Sequence, residues 1–369
     1  MRVTEIHIYQ QDLPVVGGSY RMSHSSVASM DTTIVEVITD EGMIGYGETC
    51  PVGSVYAPQH AAGARAALAE IAPRLLGRDP MLTEVCGHVM DDALNGHRYA
   101  KAALNIAMWD ILGKHCGLRV CDLLGGALRE RVPSYAVIDV TTPEDAAAAA
   151  DEHQSAGFGR VQLKIGGRSV EEDIASVRQV CGVLLPGVRL AVDANRSLTI
   201  ADAVALTESC RDLQFVLEQP CNTLDELTAL RARAHHPIFV DELAEDLTGV
   251  LRAISMGVAD GFGLKLTRLG GLSAMRTARD VCRATRRPHT CDDTWGGDII
   301  AAACVHIGST VRPELLEGVW IAAPYIEHHY DPHHGIRLVN GCIDVPKRPG
   351  LGISPDAACW GTPIQSYTR

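Results

Sequence analysis

At 369 residues, with 46% hydrophobic and 21% charged side chains, the chain can bury a sizeable core and is long for one simple domain. Its formal charge of -12 at pH 7 speaks against nucleic acid or an anionic membrane as partner, because both need clustered Lys and Arg, and the longest basic cluster is only Arg283 with Arg286 and Arg287. The twelve cysteines are scattered singly with no C-x-x-C pair, which reads as packed thiols in a reducing cytoplasm; the alternating start MRVTEIHIYQ lacks the apolar run of a signal peptide, and nothing approaches the ~18 apolar residues of a membrane span.

Residues 1 to about 125 form the first unit. Val3, Ile6 and Ile8 open a strand, TIVEVIT (Thr33 to Thr39) makes a second, and Asp40-Glu41-Gly42 turns it into a third over Met43 to Glu48. Helices are predicted over His60 to Leu76, Leu82 to Met90 and Tyr99 to His115. Strands followed by helices indicate α+β. Between the first two strands, Pro14 to Met30 is too long for an ordinary hairpin loop and reads as a functional lid, with Tyr20, Ser23, His24 and Ser25 as its candidate residues.

From about Val132 the pattern changes. Short β-branched runs alternate with helix-length segments: SYAVIDV, RVQLKIG, VRLAVDA, QFVLEQP, PIFVDE, GFGLKL, PHTCDD and ELLEGVW, separated by seven helical stretches. Regular βα repetition with near-continuous apolar strands predicts a parallel sheet covered by helices, and eight strands predict a closed barrel. After about Ala322 the sequence is turn-rich, with brief strands (GIRLV, CIDVP) and a PGLGI segment. This tail is expected to pack back on the first unit and to supply the barrel's last helix poorly or not at all.

Polar residues interrupt these apolar strands at Lys164, Asp193, Glu218, Asp241, Lys265, Asp292 and Glu317, spaced by 23 to 29 residues, about one βα unit each. That spacing places all seven at one height, the C-terminal strand ends where barrel enzymes keep their chemistry. Singly each has an ordinary reading: a snorkelling lysine, a helix-capping aspartate, a glutamate before a turn at Pro220. Together they form a ring. Asp193, Glu218 and Asp241 come from three consecutive strands and repel one another unless a cation sits among them; hard oxygen donors without His or Cys favour Mg²⁺ over zinc. Lys164 and Lys265 stand on the second and sixth strands, roughly opposite. A divalent ion and a second ammonium nearby lower a lysine's pKa from its usual ~10, so that a neutral amine can take a proton.

The motifs LKIGG, VDAN, LEQP, VDE and GLKLTRLGG, over nearly the whole chain, resemble the enolase superfamily in its mandelate racemase and muconate-lactonizing branch. The resemblance implies a (β/α)7β-type TIM barrel of the α/β class (residues 126–322), an α+β N-terminal capping domain (1–125), and a C-terminal tail (323–369) that completes the cap. It implies Asp193, Glu218 and Asp241 as Mg²⁺ ligands, Lys164 and Lys265 as the acid/base pair, and a homo-oligomer. One departure stands out: many members carry Lys-x-Lys on the second strand, and here the first of that pair is Gln162, which either leaves the tuning of Lys164 to other groups or contacts substrate.

The stretches GYGETCPVG, LEQPCNT, PHTCDDTWGGDIIAA and LLEGVW look closest to members acting on proline derivatives, the cis-3-hydroxy-L-proline dehydratases and the hydroxyproline-betaine 2-epimerases. Both remove the α-proton of a small cyclic amino acid; the first then expels a β-hydroxyl, the second returns a proton from the opposite face. Asp292 and Asp293 are candidates for the ring nitrogen, or else a capping pair before TWGGD. Tyr56, Trp295 and Trp320 are candidate walls for the ring. Arg21 and His24 in the lid suit a quaternary ammonium poorly, whereas Ser23, Ser25, Ser26 or His24 suits a departing hydroxyl, which favours the dehydratase. Two other classes stay open: a Schiff-base aldolase using a lysine nucleophile, which leaves the carboxylate trio unexplained, and a non-catalytic barrel.

Overall fold

The computed structural model describes the chain except Ser23, His24, Ser54, Val55 and His328, and of residues 20–22 and 25 it gives the backbone path alone. The chain opens with an antiparallel sheet of β1 (Val3–Pro14), β2 (Ser29–Thr39) and β3 (Ile44–Thr49), followed by α1 (Ala61–Leu75), α2 (Thr83–Ala93) and α3 (Arg98–Cys116). Alternation in β1 and β2 buries Val3, Ile6, Ile8, Val35 and Val37 against Leu68, Ile71, Leu104 and Ile111 of the helices. The sheet lies almost against α3: a Cβ on Gly47 would come within 1.7 Å of the Ala103 carbonyl oxygen, so only glycine fits there. Between β1 and β2, Tyr20–Met22 pairs with Ser25–Val27 as a short ribbon.

Eight parallel strands then follow in sequential order: β4 (Ala136–Ile138), β5 (Arg160–Lys164), β6 (Arg189–Asp193), β7 (Val216–Glu218), β8 (Ile238–Val240), β9 (Gly261–Lys265), β10 (His289–Asp292) and β11 (Leu316–Gly318). The sheet curls so that β11 returns to the start, where the Val319 amide donates to the Pro133 carbonyl at 2.9 Å. Helices between the strands bury Val177, Val180, Leu206, Leu227, Met275 and Ile307 on the outside of this ring. The first five of these helices start at side-chain caps, and the last two at Gly271 and Gly297. Ser169 and Thr223 each accept from the amide three residues on, while Glu172 and Glu226 reach back to the cap amides. Helix boundaries fall within about two or three residues of those read from periodicity.

Register corrects one expectation. Lys164, Asp193 and Glu218 are partners along one row, as are Lys265 and Asp292. Glu317 is not at that height. Its neighbour Leu316 pairs with His289, the first residue of β10, and its carboxylate meets Arg189 at 2.7 Å and Arg160 at 3.6 Å, which open their own strands. Equal spacing misled because His289 pairs with Leu316, 27 residues on, whereas Glu317 follows Asp292 by only 25, and a one-residue register shift beyond His289 lowers it further.

Beyond β11 the helical elements among the described residues are two 3-10 turns, Ala323–Tyr325 and Ala357–Trp360. Leu338–Val339 and Cys342–Asp344 form a three-stranded sheet with Arg131–Pro133 beside the barrel, and Gly350 bridges to Arg119. A last strand, β12 (Gln365–Thr368), joins the edge of β1, an element that the sequence pattern did not disclose. All twelve cysteines are free thiols. Among the described residues no helix is long and apolar enough to cross a membrane.

Candidate active site

At the C-terminal mouth of the barrel a cavity is lined by Lys164, Lys265, Gln162, Asp241, Asp293 and Asn195, with Tyr56 and Val52 reaching in from the N-terminal unit and Tyr135, Val137, Thr294 and Trp320 completing the wall. Beneath it Asp193, Glu218 and Asp241 are all buried and offer oxygens within 4.8 Å of one another. A side chain at Gly263 would crowd two of them, since a Cβ there would stand 3.0 Å from Glu218 Oε1 and 3.1 Å from the Asp241 carboxyl carbon. Burial, reinforced by Asp193, pushes the Glu218 carboxyl up to about 8 despite Arg160. An all-carboxylate set in this state, with no nitrogen or sulfur donor, fits a hard divalent cation.

The trio is held in place from every side. Lys164 Nζ lies 2.5 Å from Asp193 Oδ2, and the Asn195 amide donates to Asp193 Oδ1. Gln162 Nε2 donates to Glu218 Oε2 at 2.8 Å. Arg268, from the short helix Leu266–Leu269, donates to Asp241 Oδ1 at 2.6 Å and to the Tyr56 hydroxyl at 2.9 Å. Arg196 donates to the Tyr56 carbonyl, so two arginines of the barrel clasp this residue of the N-terminal unit. Burial raises the Asp241 carboxyl, but Lys265 and Arg268 more than offset it and hold it below the ordinary range.

Burial pulls the pKa of Lys265 down, yet the bare carboxylates of Asp241 at 3.8 Å and Asp292 at 3.4 Å outweigh burial and hold the ammonium well above the usual lysine range. A divalent cation among the trio would act in the opposite direction, by neutralising Asp241 and adding positive charge.

Of the ring-nitrogen candidates, Asp293 faces the cavity, and its oxygens accept from the Thr267 amide and hydroxyl and from the Thr294 amide. Asp292 does not reach the cavity: Oδ1 accepts from the Trp320 amide at 2.7 Å and Oδ2 from the Tyr135 hydroxyl at 2.8 Å. Trp320 is wall, whereas Trp295 packs behind it, with ring centroids 5.6 Å apart. Tyr20 and Ser25 lie on the ribbon, and Ser23 and His24 fall outside the described residues. Sequence reasoning passed over Tyr135, Arg160, Asn195 and Arg268. Arg268 and Asn195 sat inside the quoted motifs, and Arg160 shares the face of Gln162 and Lys164 by simple alternation.

Residues 4–125 match the family model described as mandelate racemase/muconate lactonizing enzyme, N-terminal domain, and residues 144–359 match enolase C-terminal domain-like. The chain is 37% identical to a protein of Roseibium aggregatum named cis-3-hydroxy-L-proline dehydratase, over 100% of both chains. It is 29% identical to an N-succinyl-L-Arg/Lys racemase of Bacillus cereus over 74% of each. An enolase-superfamily crystal structure from Roseovarius nubinhibens ISM, complexed with magnesium, covers 100% of both chains at 34% identity with a TM-score of 0.95. With an eight-stranded parallel barrel and an N-terminal α+β domain that reaches its mouth, this chain belongs to the enolase superfamily, as an enzyme of its mandelate racemase and muconate lactonizing branch.

Proposed function

We propose that the chain is a Mg²⁺-dependent cis-3-hydroxy-L-proline dehydratase. What carries this reading is a cavity with a lysine on either side and a buried carboxylate trio at its floor, in a chain 37% identical from end to end to a protein bearing that name. Asp193, Glu218 and Asp241 would hold the ion, which when bound supplies positive charge to the substrate carboxylate as its α-proton leaves. One lysine takes the proton from C2; the C2–H electron pair becomes a C2=C3 double bond as the C3–O bond breaks. The departing hydroxide takes a proton and leaves as water, and the enamine tautomerises to a cyclic ketimine. Asp293 is positioned for the ring ammonium, and Tyr56, Gln162 and Trp320 fix the ring against the cavity wall. Ser23, Ser25, Ser26 or His24 of the lid, which also carries Tyr20, would serve the departing hydroxyl.

One observation favours a second reading. Lys265, held as an ammonium on the strand across from Lys164, is suited to return a proton to the opposite face, which is 2-epimerisation of a proline or hydroxyproline betaine. Purified protein with Mg²⁺ is tested on proline, 3-hydroxyproline, 4-hydroxyproline and their betaines by NMR in D₂O. Ketimine-derived product from cis-3-hydroxy-L-proline supports the dehydratase. Inversion of a betaine at C2 without that product refutes it and supports the epimerase.

A further inference from the structure

Arg160 is the first residue of β5, four before Lys164 and two before Gln162, so the three side chains stand on one face of the strand inside the barrel. It is 3% exposed, and its guanidinium stacks over the Tyr135 ring at 4.2 Å. Its Nη2 lies 3.6 Å from Glu218 Oε2, the same oxygen that accepts from Gln162, and its Nε lies 3.6 Å from Glu317 Oε2. Both terminal nitrogens are buried without a hydrogen-bond partner. A buried arginine in that condition is costly unless its charge is used.

We propose that Arg160 is the positioning residue for Glu218. The guanidinium below and the Gln162 amide beside it both engage Oε2, which turns Oε1 toward Asp193 and Asp241. This arrangement explains the departure at residue 162. The positive charge that a lysine there would bring next to the trio is supplied one layer lower by Arg160, and a neutral amide at 162 avoids a third cation between Arg160 and Lys164. Tyr135 couples the device to the far side, because its ring supports Arg160 while its hydroxyl donates to Asp292, the residue level with Lys265. The proposal rests on the trio being a cation site.

Mn²⁺ serves as the probe, its affinity for the full chain read by electron paramagnetic resonance without substrate. Arg160→Met is expected to weaken Mn²⁺ binding by about 10–100-fold, as loss of a residue that orients a metal ligand does. Arg160→Lys restores most of it, and Gln162→Lys improves binding in the Arg160→Met background while worsening it alone. Glu317→Gln, at the other end of the arginine, leaves affinity within about twofold. If Arg160→Met does not fold, Arg160→Met/Glu317→Leu removes the buried pair, leaving Arg189 half-exposed, and is expected to show the same loss. A folded Arg160→Met or double variant that binds Mn²⁺ as tightly as the unaltered chain overturns the proposal. Absence of Mn²⁺ binding by the unaltered chain overturns the cation site itself.

Discussion

Lys164 Nζ lies 2.5 Å from Asp193 Oδ2, the residue level with it on the adjoining strand, so the lysine proposed to move a proton is tied to a carboxylate of the trio. Removing either lysine is expected to lower dehydration by about 10²–10⁴-fold with the fold intact by circular dichroism. The two losses differ in kind. Lys164→Ala and Lys265→Ala should each abolish deuterium exchange at C2 for one enantiomer of a proline analogue, and loss of both enantiomers in one variant would contradict a lysine for each face.

Chelation by EDTA is expected to stop turnover, and added Mg²⁺ to restore it. Mg²⁺ at about a hundred times its dissociation constant should stabilise the fold by roughly 2.7 kcal/mol, read as a raised melting temperature. Asp193→Asn should lose most of that rise while melting normally without metal.

Acid is expected to destabilise the chain through His306. Its Nδ1 accepts from the Cys121 amide and its Nε2 meets the Leu351 carbonyl, so the ring is neutral, and burial pulls its pKa down to about 4. The unfolded chain, with a histidine near 6.5, binds more protons between these values, so stability is present above 6.5 and is lost as pH falls toward 4. At pH 5 the loss is roughly 2 kcal/mol. Buried His289 shifts the same way, and the raised carboxyls of Glu48, Glu218 and Glu242 act oppositely. The contribution is therefore read as the difference between the unaltered chain and His306→Gln in urea unfolding at pH 7 and pH 5, the variant losing less on acidification.

Gly47→Ala is expected to cost about 1–3 kcal/mol or more, because the added methyl would displace the Ala103 carbonyl and part the sheet from α3. Calorimetric melting of the variant reads this directly, and an unchanged melting temperature would mean the helix yields freely.

The barrel was legible because its strands alternate with helices at regular intervals, and the trio with its two lysines because charged residues on buried strands are conspicuous. What sequence hid depends on packing across elements. Glu317 kept the spacing of the ring but not its height, because β11 pairs with β10 at an offset of 27 or more while Glu317 follows Asp292 by 25. Trp295 and Trp320 look equivalent in the chain, yet the path of their loops makes one a wall and the other its backing. The state of Lys265 depends on two carboxylates from β10 and the loop after β8, 27 and 24 residues away along the chain. Arg160 reads as a strand's polar beginning until its guanidinium is seen to run inward, toward Glu218.

The pairing of β12 with β1 joins residues as distant as His7 and Ser366, 359 positions apart, in one sheet edge. The barrel is therefore inserted within a domain whose two parts it separates in sequence. Among the strand pairings this edge closes the longest loop of chain, so it carries the largest loop-closure entropy. In a variant with Trp109, Trp295 and Trp320 replaced by Phe, fluorescence of Trp360, packed on Tyr9 and Tyr46, is expected to change in the same denaturation transition as far-ultraviolet dichroism, because the cap sheet is complete only when both ends of the chain are folded.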